Sequence, residues 1–311
     1  MKLGELPLCE LRRHLARDGL SIDCGLVRTR VRGNLPGFAE ALQLLYAAYD
    51  LDRPPAFHDV TVTLRLRRDW RARMARQVEF VLDGDTPFDP LPAAHHLPMY
   101  EWGLNWSIAS RCHRHLLLHA GAVARDGLGL LIPAVPGTGK STLTAALTQR
   151  GYRLLSDEFG VVRLSDQRLL PAVRPVALKN ASIAVMRRFA PQAVIGPTYR
   201  NTRKGDVAHL APDAVSVAAR HEPAVPVMVL FPQYRRGATL AVESVDPAMA
   251  FIKLSANSFN YELLGERSFN AVAKLAQGCR AYRVTYDSLD EAVGTIDELL
   301  ADCRQPLAVG Q

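Results

Sequence analysis

The sequence predicts an α/β fold: a mixed sheet with flanking helices, preceded by a small α+β module. Three observations carry this expectation. An apolar run at residues 128–133 enters a glycine-containing turn, and a helical pattern leaves it. Strand-like alternation recurs through the first ninety residues around one amphipathic helix. Between the two patterns, residues 83–98 hold Pro87, Pro90, Pro92 and Pro98, the composition of an irregular connection. The expected division is therefore an N-terminal module over residues 1–92 and a larger domain over residues 93–311. With 311 residues, 48% of them hydrophobic, the chain can build cores of that size.

In the N-terminal module, residues 25–32 read as a strand because Val27, Thr29 and Val31 alternate with arginines. Residues 36–49 place Phe38, Ala41, Leu42, Leu45 and Tyr46 on one helical face, and Asn34 is available as a cap. Residues 60–66 alternate again through Val60, Val62, Leu64 and Leu66, and residues 78–82 form another short strand. The larger domain begins with a helix at about residues 99–112. Strands at 116–124 and 128–133 follow, joined by a turn at Asp126–Gly127, and a helix covers about 140–149. Residues 153–155 and 160–164 return to strand. Further on, strands are expected at 225–231 and 238–245, and helices at about 248–254, 266–277 and 289–302.

Composition narrows the class. No run of 18 or more apolar residues exists, so no membrane-spanning helix is expected. Residues 1–13 mix Glu5 and Glu10 with Arg12 and Arg13 and lack the apolar core of a signal peptide, which predicts a cytoplasmic protein. Five scattered cysteines make no disulfide framework. Cys112, His113 and His115 cluster, but no second ligand pair at zinc spacing accompanies them, and they read as a helix end running into a strand. The net charge is +7, with Arg65, Arg67, Arg68, Arg71, Arg73 and Arg76 in one basic run. Trp70 is the sole aromatic among them, so the run reads as a solvated hairpin or helix face, and no nucleic-acid partner is expected.

The segment at residues 130–142, Leu-Leu-Ile-Pro-Ala-Val-Pro-Gly-Thr-Gly-Lys-Ser-Thr, carries the chemistry. A strand, a glycine turn and a helix in that order form a phosphate-binding loop. Pro136, Gly137, Thr138, Gly139, Lys140, Ser141 and Thr142 are the expected nucleotide contacts. Gly137 and Gly139 let successive main-chain N–H groups converge on phosphate oxygens, and the helix N-terminus adds its positive dipole end. Lys140 would reach the terminal phosphates and Ser141 would bind Mg²⁺. The full pattern opens with glycine, where this chain has Ala134. Asp157 and Glu158 follow the strand at 153–155, 17 positions after Lys140 for Asp157, leaving room for one helix and a return beside the loop. There a carboxylate can complete a Mg²⁺ shell or accept a proton from an attacking hydroxyl.

The stretch Gly137-Thr-Gly-Lys-Ser-Thr142, followed by Arg150-Gly-Tyr-Arg-Leu-Leu-Ser-Asp-Glu158, resembles the HPr serine kinase/phosphorylase family. His119-Ala-Gly-Ala-Val123 is similar to that family's strand ahead of the loop. The segments at 173–180, 204–210 and 257–261 look more like the divergent subgroup called HprK-related kinase A. The resemblance implies a P-loop kinase domain of the HPr kinase type, using ATP and Mg²⁺ to phosphorylate a hydroxyl of a protein or peptide. It implies Asp157 as catalytic base, Lys140 and Ser141 as phosphate and metal ligands, and Glu158 at the place of the family's second acid. It implies His119 beside the acids, and Arg203 or Lys204 as a transition-state cation, with Lys179 and Asn257 further candidates. As partners it implies a small PqqD-like peptide-binding protein and a ring-like homo-oligomer. The alternative is an ATP-binding partner or sensor in a peptide-maturation system that transfers no phosphate.

Overall fold

The computed structural model describes residues 1–51, 57–67, 76–133 and 137–303. In chain order the elements begin with α1 (Leu8–Ala16), β1 (Leu20–Asp23), β2 (Arg28–Gly33), α2 (Phe38–Leu45), β3 (Val60–Leu66), β4 (Gln77–Leu82), β5 (Leu91–Pro92) and α3 (His96–Arg111). There follow β6 (His115–Arg125), β7 (Leu128–Pro133), α4 (Lys140–Thr148), β8 (Arg153–Ser156), β9 (Phe159–Arg163) and β10 (Leu169–Leu170). Next come β11 (Val176–Lys179), α5 (Ala181–Phe189), β12 (Tyr199–Thr202), β13 (Gly205–Leu210) and α6 (Ala214–Ala218). The chain closes with β14 (Val225–Tyr234), β15 (Ala241–Ser244), α7 (Pro247–Ala256), α8 (Tyr261–Leu264), α9 (Glu266–Gly278), β16 (Arg280–Tyr286) and α10 (Leu289–Cys303).

Two compact units share these elements. The first comprises Met1–Arg111, Ala172–Arg187 and Gln192–Arg220; the second comprises Cys112–Pro171, Arg188–Pro191 and His221–Gln311. A single cut after residue 92 does not coincide with this division. Helix α3 and the stretch holding β11, β12 and β13 pack with the N-terminal residues, an association set by tertiary contact that no local pattern announces.

The first unit holds a five-stranded sheet in the order β1-β2-β3-β4-β5. β2 and β3 are parallel, with α2 between them in sequence, and the other pairs are antiparallel. Val60, Val62 and Leu64 of β3 are buried while the threonines between them are half-exposed, the period expected of a strand with one covered face. Phe38, Tyr46, Phe80 and Tyr100 are fully buried in this unit. Arg174 and Glu101 form a buried pair at 3.4 Å, and the Tyr46 hydroxyl donates to Glu101 at 2.6 Å. β11, β13 and β12 make a separate three-stranded antiparallel sheet. Helix α1 and these three strands answer to no sequence expectation.

The second unit is built on a mixed sheet in the order β10-β9-β6-β7-β14-β16-β15, with β8 also paired to β6. β7, β14 and β16 are mutually parallel neighbours, and β6 is antiparallel to β7. Alternation along β7 sends Leu130 and Ile132 to one face and Leu131 to the other. The first face packs against Leu143, Ala146 and Leu147 of α4 and Ile296 and Leu300 of α10. The second packs against Ala250 and Leu254 of α7 and Val272 and Leu275 of α9. Helices therefore cover both faces of a mixed sheet, as the α/β expectation requires.

Candidate functional site

β7 ends at Pro133, and the turn that leads to α4 is described from Gly137. Ala134 and Pro136 lie outside the described residues. Gly137 and Gly139 both hold positive φ, 92° and 97°, in a region that residues with a Cβ rarely adopt. Gly139 is the N-cap of α4, whose first turn carries no acidic side chain, so its N-terminal dipole end is not neutralised from within. Among the described residues a Cβ at Gly137 would meet nothing within 4 Å, whereas one at Gly139 would lie 2.8 Å from the Tyr286 hydroxyl oxygen and 3.2 Å from Tyr234 Cβ.

Tyr234 and Tyr286 end β14 and β16 and so stand at the C-terminal edge of the parallel strands. Tyr234 N–H donates to the Thr138 carbonyl at 3.1 Å, and the two rings are 6.0 Å apart. Burial raises the Tyr286 phenol above its ordinary value, and its hydroxyl has no hydrogen-bond partner among the described residues. Sequence reasoning passed over both tyrosines. Their signal was faint: an aromatic at the end of each of two apolar strands.

Asp157 and Glu158 directly follow β8 and precede β9. β8 pairs with β6 at 122–124 and β9 pairs with it at 115–119, both antiparallel. Asp157 and Glu158 thus interrupt a nearly continuous strand running beside β6, and the Ala120 N–H donates to the Glu158 carbonyl at 3.3 Å. The register also pairs Ala120 with Pro133, so the acids sit level with the end of β7. The Ser156 hydroxyl oxygen accepts N–H bonds from Glu158 at 3.3 Å and Phe159 at 3.0 Å, which fixes the interruption. Ser156 is a positioning residue that the sequence reading missed; a serine immediately before paired acids is the cue. Gly121 is needed for another reason: a Cβ there would lie 2.2 Å from the Thr144 hydroxyl of α4.

Within the second unit the expected residues converge. Lys140 Nζ donates to the Asp157 carbonyl at 2.7 Å. Asp157 is buried at 7% exposure. His119 Nε2 lies 3.5 Å from Glu158 Oε1, with both side chains about a third exposed or less. Ser141 and Thr142 are half-buried in the first turn of α4. The Asn257 carbonyl accepts the His119 N–H at 2.6 Å, and the Phe259 ring stands 5.5 Å from that of His119. Since β9 holds the other edge of β6 here, residues 257–260 extend the β7 edge beyond Pro133. Asn260 locks them there, its amide accepting from Leu117 N–H at 3.0 Å and donating to the His115 carbonyl at 2.8 Å.

Lys204 and Arg203 belong to the first unit, in the turn between β12 and β13. The Lys204 ammonium sits 5.1 Å from the centre of the Trp102 ring, and the Lys204 main-chain N–H donates to the Thr202 hydroxyl at 3.1 Å. Lys179, also of the first unit, ends β11. The described residues contain no group of three or more His, Cys, Asp or Glu side chains arranged for a metal ion. Cys112 and His113 fall between the end of α3 and the start of β6, the helix-to-strand junction expected. No described helix is long and apolar enough to cross a membrane. Neither a comparison with protein-family models nor one with curated proteins finds a match to this chain.

Proposed function

We propose that the second unit binds MgATP at the glycine turn and passes the γ-phosphoryl group to a serine or threonine hydroxyl of a protein or peptide. The observation that carries this reading is the 2.7 Å contact from Lys140 to the Asp157 main chain, which brings the helix-start cation and the acid pair to one point. The residues fit the nucleotide and metal. Two positive-φ glycines before an uncapped helix start supply converging N–H donors. A Ser141 hydroxyl and a carboxylate are hard oxygen donors suited to Mg²⁺, which then needs phosphate oxygens to fill its shell. When bound, the metal would neutralise charge on the transferred group.

The chain's own residues divide the remaining work. Lys140 and the N–H groups of the turn hold the phosphate oxygens. Asp157, placed level with the end of β7, takes the proton from the attacking hydroxyl. His119 and Ser156 keep the acid pair in place, His119 through Glu158 and Ser156 through the main chain. The protein-type acceptor, a PqqD-like partner, a homo-oligomer and a cytoplasmic setting complete the proposal. The test is transfer of label from γ-labelled ATP to proteins of a cell lysate. Asp157→Asn keeps the main-chain oxygen that Lys140 uses, so it should retain nucleotide affinity and lose transfer by roughly 10²- to 10⁴-fold. Transfer at the parent rate would remove Asp157 as the base. Steady ADP release with no labelled acceptor would favour the non-transferring ATP-binding alternative.

A further inference from the structure

Tyr234 is the last residue of β14 and is 48% exposed, although residues 228–232 of the same strand are buried. It stands at the C-terminal edge of the parallel strands, where open α/β sheets take their ligands. Alternation along β14 puts it on the face of Met228 and Leu230, the face that packs against α4. Its main chain is pinned. Tyr234 N–H donates to the Thr138 carbonyl at 3.1 Å, and the next residue, Arg235, donates its N–H to the Tyr286 carbonyl at 3.0 Å. Gly237 N–H then donates to Asp287 Oδ2 at 2.9 Å. The Tyr286 ring, 1% exposed, stands 6.0 Å from the Tyr234 ring at 63° to it. A half-exposed aromatic ring is thus carried on a fixed main chain beside the glycine turn.

We propose that the base of the bound nucleotide stacks on Tyr234. The inference rests on the reading of the glycine turn as the triphosphate site and adds base recognition to it. A single exposed tyrosine is ordinary surface; the sheet order sets this one apart. β6, whose edge carries the acid pair, lies on one side of β7, and β14 and β16 lie on the other. A triphosphate laid across the turn with its γ end toward Asp157 directs its nucleoside the opposite way, to the ends of β14 and β16. Tyr234 is the half-exposed ring at that edge, and its backbone tie to Thr138 keeps it in register with the turn. A ring already held in place stacks a base at small ordering cost. Every base offers a π-face, so Tyr234 selects nucleotides over bare polyphosphate and does not by itself choose adenine.

Calorimetric titration of the full chain tests this with two probes, MgATP and magnesium tripolyphosphate, which keeps the phosphate chain and lacks the nucleoside. Tyr234→Ala keeps the Cβ beside Gly139 and the N–H to Thr138, so the turn itself stays braced. It should weaken MgATP at least about fivefold, the alanine-substitution scale of base–aromatic stacking, and leave tripolyphosphate within about twofold of the parent. Tyr234→Phe should bind both as the parent does. Tyr234→Trp should show quenching of indole emission by MgATP that the parent lacks and that tripolyphosphate does not produce. Unchanged MgATP affinity in Tyr234→Ala, an equal loss of both probes, failure of Tyr234→Phe to retain affinity, or unquenched Tyr234→Trp would each overturn the inference while leaving the phosphate grip standing. A parent chain that binds neither probe would overturn the grip and the inference together.

Discussion

Gly139 shows how one residue ties the turn to the sheet. Its φ of 97° excludes most side chains, and the Tyr286 hydroxyl and Tyr234 close the space a Cβ would take. Gly137 shares the backbone constraint, with φ 92°, but a Cβ there would meet none of the described residues within 4 Å. Gly137→Ala should therefore cost only the backbone strain, about 1–2 kcal/mol in the turn. Gly139→Ala should cost more, since either Tyr286 or the turn must also move. Thermal melts and MgATP affinity measured on both variants check this ordering, and equal losses would mean that the tyrosines do not brace the turn. The residue scale also separates the two acids: Asp157 is buried beside Lys140 through its main chain, and Glu158 turns toward His119.

At the scale of elements, the sequence was most informative where a period ran unbroken. β3 and β7 fall at the expected residues, 60–66 and 128–133, because alternate positions in each feed a packed face. Helix α10 matches to within a residue for the same reason, its Ala292, Val293, Ile296 and Leu300 facing the core at helical spacing. Helix α1 was missed because only Leu11 and Leu15 of its nine residues are buried, too few to stand out among charged neighbours. The strands β11 and β12 were missed because each has only four residues, and the assignment of β11, β12 and β13 to the first unit depends on contacts far along the chain. The acid pair was found by its distance from Lys140. Its setting in a bulged run beside β6 was not legible, because cross-strand register is a property of the partner strand. The same holds for Tyr234 and Tyr286, whose approach to Gly139 follows from the parallel alignment of β7, β14 and β16.

For the molecule as a whole, the buried histidines of the first unit make stability depend on pH. Burial, with Arg174 and Lys179 adding to it, lowers the His209 pKa from 6.5 to about 3. Both ring nitrogens lack a partner among the described residues. Burial likewise lowers His96 to about 4, opposed by Glu40 and assisted by His95. Below pH 6.5 the unfolded chain binds protons at these positions that the folded chain refuses. Their contribution is thus complete above about pH 6.5 and is lost as pH falls toward 4 and then 3, by up to about 1.4 kcal/mol per pH unit for each group. Glu101 acts in the opposite sense, because burial raises its pKa against the pull of Arg174. Melting temperatures between pH 4.5 and 7.5 should rise with pH, and His209→Leu should flatten that rise. An unchanged slope would mean that His209 is not buried as a neutral ring.

If the turn at 137–139 and Lys140 grip a polyphosphate, calorimetric titration with MgATP detects it without requiring an acceptor. The wild-type chain should bind one equivalent, and Lys140→Ala should weaken binding at least about tenfold, the scale of a lost charged hydrogen bond. Absence of binding by the wild type, or equal affinity in the variant, would contradict it.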